Sequence, residues 1–143
     1  MPIEDISTKL TFDRFCQLTD LTLTDILSDF GMISRDAGLA IVTPDNYDEL
    51  AGELDRDAKA CGKELPVTHE DVLAHALNTQ GLTIRDTENG DTFTLTAEGL
   101  DKAVVIASSK DPVLMDRFFV GEEDAADSFD LVQFALFGEV VYG

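Results

Sequence analysis

The chain has 143 residues, with 29 Asp and Glu against 10 Lys and Arg, for a formal net charge of −19. A content of 44% hydrophobic residues, nine of them Phe, is enough to fill the core of one domain and argues against a disordered acidic tail. The charge argues against direct binding to nucleic acid or an anionic membrane, because no two Lys or Arg are neighbours and no basic patch offsets the repulsion.

In chain order, Leu10 to Phe30 carries Phe12, Phe15, Cys16, Thr19, Ile26, Leu27 and Phe30 on a roughly 3.6-residue period. Thr22 or Thr24 is a candidate cap inside it and Gly31 a candidate end, so two short helices or one kinked helix are expected. The apolar run 38–43 before Pro44 reads as a short strand. From Asp45 the period is helical again through Tyr47, Leu50, Ala51, Leu54, Ala58 and Cys61, with Gly62 as the stop. Thr68-His69-Glu70-Asp71 has the form of an acidic capping box and opens a helix with Val72, Leu73, Ala76 and Leu77 inward.

The period then switches to two. Leu82-Thr83-Ile84 and Thr92-Phe93-Thr94-Leu95-Thr96 flank Glu88-Asn89-Gly90-Asp91, which predicts a hairpin with a type I′ turn at Asn89-Gly90. Thr96 caps a segment through Leu100, Val104 and Ala107, although Val104-Val105-Ile106 also fits a buried strand. Asp111-Pro112 marks a helix start, with Gly121 after it. The segment Asp127 to Phe137 is apolar on most sides and reads as a buried terminal helix. The expected fold class is α+β, a mostly helical single domain over 1–143 with one β-hairpin.

Cys16 and Cys61 lie far apart within apolar helical patterns, so buried reduced thiols are expected rather than a disulfide. The N-terminus lacks a basic and apolar leader, and no apolar run approaches the roughly 18 residues a membrane span needs, so a cytoplasmic location is expected.

Motifs that carry chemistry are sparse. His69 and His75 are six residues apart, which places them about 120° apart around a helix, whereas paired zinc ligands on one face need a spacing of four. The acidic turn from Asp86 has its glycine at the fifth position and Ala97 at the twelfth, which does not fit a calcium-binding EF-hand loop. Nucleophile elbows, phosphate-cradling glycine loops and Cys-x-x-Cys pairs are absent. No catalytic residue, metal or cofactor is expected.

One pattern resembles a family. A helix over 69–80, Gly81-Leu82-Thr83-Ile84, the Asn-Gly hairpin and Phe93-Thr94-Leu95-Thr96-Ala97-Glu98-Gly99 look like the recognition helix, wing and following helix of winged-helix proteins, over 68–107. Members of that family usually offer Arg or Lys to DNA from this helix, whereas 69–80 holds none. In overall size and charge the chain also resembles small phage and mobile-element inhibitors of restriction and CRISPR systems, and immunity proteins that block nuclease toxins.

The charge is even along the chain, 16 acids to 6 bases over 1–71 and 13 to 4 over 72–143, and windows 36–55 and 118–143 contain no base at all. Like charges three or four apart destabilise a helix by a few tenths of a kcal/mol per pair. A surface that carries that cost repeatedly gains something from it. The expected function is therefore a non-enzymatic inhibitor that mimics nucleic-acid phosphate and occupies a basic nucleic-acid-binding protein or complex. The candidate contacts are Asp45, Asp48, Glu49, Glu53, Asp55 and Asp57 on one helix, Asp86, Glu88 and Asp91 at the hairpin tip, and Glu122, Glu123, Asp124 and Asp127 in a loop. Adaptation to high salt, and an acidic chaperone or adaptor binding a partner through an apolar groove, are the alternatives. The expected partner is that basic protein or complex, with a homodimer as a further option.

Overall fold

The computed structural model describes residues 10–62 and 67–142. The N-terminal stretch read for targeting signals lies outside them. Among the described residues the order is α1 (Phe12–Thr19), α2 (Leu23–Ala37), β1 (Leu39–Ile41), α3 (Tyr47–Ala60), α4 (His69–Thr79), β2 (Leu82–Asp86), β3 (Thr92–Leu95), α5 (Ala97–Lys110), α6 (Pro112–Val120) and α7 (Ala125–Phe137). This is the mostly helical α+β fold expected.

Helix starts follow local hydrogen bonding. Thr11, Thr22, Thr68, Thr96, Asp111 and Asp124 each accept a backbone N–H from the first turn that follows, which satisfies donors a helix leaves orphaned. At Thr22, Thr68 and Asp124 an Asp three residues on closes a reciprocal capping box. The expected stop at Gly31 is overturned. α2 runs through it to Ala37 and ends at Gly38, whose φ of +97° suits a residue without Cβ. Gly31 has nothing near its missing side chain, so the helix passes it at only a propensity cost. Val104, Val105 and Ile106 lie within α5 and are not a strand.

The strands form one antiparallel sheet in the order β1-β2-β3, with Leu39 opposite Asp86 and Leu82 opposite Leu95. The hairpin stands where it was expected, but its turn differs. Asp86 and Asp91 still pair through the backbone, leaving a four-residue loop, and only Gly90 has a positive φ, +81°. A type I′ turn needs positive φ at both central residues. Here the Asp86 carboxylate holds the loop instead, Oδ1 accepting the N–H groups of Glu88 and Asn89 at 2.8 and 3.1 Å in the manner of an Asx turn.

The core is continuous. α7 packs against α2 and α5, with Leu131, Val132 and Phe134 buried, and Phe30 stacks on Phe129 at 5.2 Å. Phe15 makes edge-on contacts with Phe118 and Phe119, closing α1 over α6. Cys16 is half-buried, and its thiol is pushed up to about 11, first by burial and then by Asp13 and Asp25. Cys61 is exposed, contrary to the expected buried pair, because it falls just past the last turn of α3. Both thiols are free. No described helix is long and apolar enough to cross a membrane.

Candidate acidic binding face

Asp45, expected on the helix, lies in the turn before it, and the acids that α3 does carry do not share one face. Successive helical residues turn by about 100°, so Glu49, Glu53 and Asp57, spaced by four, form one stripe, while Asp48 and Asp55 fall on the far flank. The inward side is taken by Tyr47, Leu50, Ala51 and Leu54. The stripe lines a groove of about 420 Å³ between α3 and α4, completed by Arg56, His75, Thr79 and Gln80.

The groove is tied at several points. Asn46 and Gln80 exchange two side-chain hydrogen bonds at 3.0 and 3.1 Å. His75 Nε2 lies 3.0 Å from Glu53 Oε1. Tyr47 stacks on His69 and its hydroxyl lies 3.0 Å from His69 Nδ1, fixing the start of α4 against the start of α3. These are the positions of the two histidines, and no group of three metal-ligating side chains occurs among the described residues.

The other expected contacts divide by role. Asp45 and Asp48 are exposed, and Asp55 is exposed but paired to Lys59 at 3.0 Å. Glu88 and Asp91 stand exposed at the hairpin tip. Asp86 does not. It is only 6% exposed, and its two oxygens are occupied by the loop amides and by the Tyr142 hydroxyl. Those hydrogen bonds, the Tyr142 one first, hold its carboxyl below the usual range, and the same contact pushes the Tyr142 phenol up to about 12.

In the last group Glu122 and Asp124 are exposed and Glu123 is half-buried. Asp127, expected in the loop, instead lies in the first turn of α7 and is removed from the exposed set. It is 5% exposed and takes both prongs of Arg117, at 2.8 and 2.7 Å, besides closing the capping box of α7. Asp127 thus ties α6 to α7, and the pairing in turn raises the Arg117 guanidinium above its ordinary value.

Across the described residues there are four side-chain pairs within ion-pair distance, Lys59–Asp55, His75–Glu53, Lys102–Glu98 and Arg117–Asp127. Glu49, Asp57, Glu88, Asp91 and Glu122 therefore have no cationic partner among the described residues. Sequence reasoning missed Gln80, His75 and Asn46 as walls of the groove, since nothing in their spacing ties them to α3. No family model, curated protein or solved structure matches this chain.

Proposed function

We propose that the protein is a non-enzymatic inhibitor that presents phosphate-like carboxylates to a basic nucleic-acid-binding protein or complex in the cytoplasm. The observation that carries this reading is the Glu49–Glu53–Asp57 stripe. One carboxylate per turn, about 6 Å apart along the helix, repeats negative charge on the order of the interval at which a nucleic-acid strand repeats it. Glu88 and Asp91 on the hairpin and Glu122 and Asp124 before α7 are further exposed acids, none of which lines the α3–α4 groove. Such a surface steers association with a basic groove and competes with nucleic acid for it.

The succession of α4, the β2–β3 hairpin and α5 supports reading this part as a winged-helix shape. α4 carries no Lys or Arg, which suits a protein-binding use of that shape and not a DNA-reading one. The free thiols of Cys16 and Cys61 suit a reducing compartment.

The test is capture of partners at low salt, followed by competition of the captured protein with nucleic acid. Mutual exclusion and an affinity that falls steeply with salt are expected. Simultaneous binding, or flat salt dependence, overturns the reading.

The adaptor reading rests on a second groove, of about 440 Å³, between α2, β1 and the start of α4. Leu27, Ile41 and Leu73 line it, and Met32 stands 70% exposed at its side. It predicts binding that tolerates salt and is lost in Met32→Asp.

A further inference from the structure

Residues 139–142 follow α7 and run back along it, although two of them, Val140 and Val141, are 43% and 59% exposed. Apolar burial alone does not hold such a segment. Gln133 does. It is fully buried, its Oε1 accepts the N–H groups of Val141 and Tyr142 at 2.7 and 2.6 Å, and its Nε2 donates to the Tyr142 carbonyl at 2.9 Å. A buried amide with its carbonyl and NH2 both engaged is strongly committed to this geometry, since release of the segment leaves the buried Oε1 without a donor.

The clamp aims Tyr142. Its ring lies 5.7 Å from Phe137 and covers Gly38, where an added Cβ would meet the ring at 3.7 Å. Its hydroxyl donates to Asp86 Oδ2. The other oxygen of that carboxylate accepts from Glu88 and Asn89, Gly90 N–H donates to the Asp86 carbonyl, and Asp91 N–H donates to Asn89 Oδ1 at 2.8 Å. A continuous set of hydrogen bonds thus leads from the middle of α7 to every residue of the hairpin tip except Thr87, which is held by its own N–H to Gly38 O.

We propose that Tyr142 is a positioning residue for the hairpin acids: the Gln133-clamped C-terminal segment holds Asp86, and through it sets where Glu88 and Asp91 stand. The hairpin then meets a partner in a fixed arrangement and loses little conformational freedom on binding. Its consequence for binding rests on the acidic-inhibitor reading; the positioning itself does not.

Tyr142→Phe keeps the ring and the backbone clamp and removes only the hydroxyl. In the full chain we expect amide exchange at Glu88 and Asn89 to quicken by about tenfold, as for loss of one bond to a charged group, and the Asp86 carboxyl, followed by NMR, to titrate closer to an ordinary aspartate. Amides in α5 and α7 should exchange as before. Unchanged exchange at Glu88 and Asn89 together with an unchanged Asp86 titration overturns the proposal. Should Tyr142→Phe fold poorly, Asp86→Asn carries the same exchange measurement: a weaker acceptor must loosen the same two amides, and protection equal to the native chain counts against the proposal. A hairpin that loosens in a protein showing no salt-dependent partner upholds the positioning role and removes the inhibitor reading alone.

Discussion

Arg117 grips Asp127 with two parallel hydrogen bonds, Nε to Oδ2 at 2.8 Å and a terminal nitrogen to Oδ1 at 2.7 Å, while Asp127 also caps α7. Two tasks fall on one nearly buried carboxylate, so its loss should exceed that of an ordinary cap. Asp124→Ala, which removes only the capping acceptor, is expected to cost about 1 kcal/mol and lower Tm by about 3–5 °C. Asp127→Ala should lower Tm further, because it also leaves Arg117 without its partner. Thermal melts of the two variants side by side check the order; equal losses would mean that the ion pair adds nothing.

The stripe on α3 opposes helix stability. Glu49→Gln, Glu53→Gln and Asp57→Asn together should raise Tm by roughly 1–3 °C, since like charges at i,i+4 cost a few tenths of a kcal/mol per pair. The same triple variant should lose affinity for a basic partner by more than tenfold at low salt and by less at high salt. Swaps at Asp48 and Asp55, on the other flank, should change partner affinity less.

Salt separates self-repulsion from salt adaptation. With a core that includes fully buried Phe15, Phe30 and Phe118, the protein is expected to be folded in dilute buffer. Its Tm should then climb by a few degrees as added salt screens the −19 charge. Far-ultraviolet circular dichroism over a salt series reads this directly, and an unfolded chain in dilute buffer would favour the high-salt alternative.

Two titrating groups set opposite ends of the pH profile. Tyr142 has its folded pKa raised from 10 to about 12, so its contribution is fully present below pH 10 and is lost as pH rises toward 12. Asp86 has its folded value lowered, so its contribution is present above the ordinary aspartate range and is lost as acid takes the folded carboxyl through its depressed pKa. Tyr142→Phe should therefore flatten both limbs of a stability profile measured by denaturant titration between pH 2 and 12, leaving the two limbs shallower than in the native chain.

Asp130 behaves differently. Burial, reinforced by Asp127 and Asp111, raises its folded pKa, so the folded state holds its proton more tightly and is destabilised once both states are ionised. Asp130→Asn should raise Tm at pH 7 by about 1–2 °C and give no gain below the unfolded aspartate pKa. A loss of stability at pH 7 would show that the Gln133 amide, 3.3 Å away, depends on the charge.

The sequence by itself determined the helix starts after Thr68, Thr96 and Asp111, the strand pairing across 82–95 and the buried character of the last helix, and it narrowed the start of α2 to Thr22 or Thr24. Caps at Thr22, Thr68, Thr96 and Asp111 act within four residues, and the alternation of Leu82, Ile84 and Leu95 is a local pattern, so neither needs distant contacts. It also fixed the acidity and the absence of Lys and Arg from α4. What it could not decide was which acids remain for a partner, because an aspartate committed to a distant residue looks like a free one in a string of letters. Asp127 is taken by Arg117, ten residues back, and Asp86 by Tyr142, 56 residues on. The same Asp86 holds the loop around Asn89-Gly90, and the placement of α4 beside α3 set three of the five acids of α3 along a groove. Those choices rest on side-chain hydrogen bonds and packing that exist only once the helices are docked.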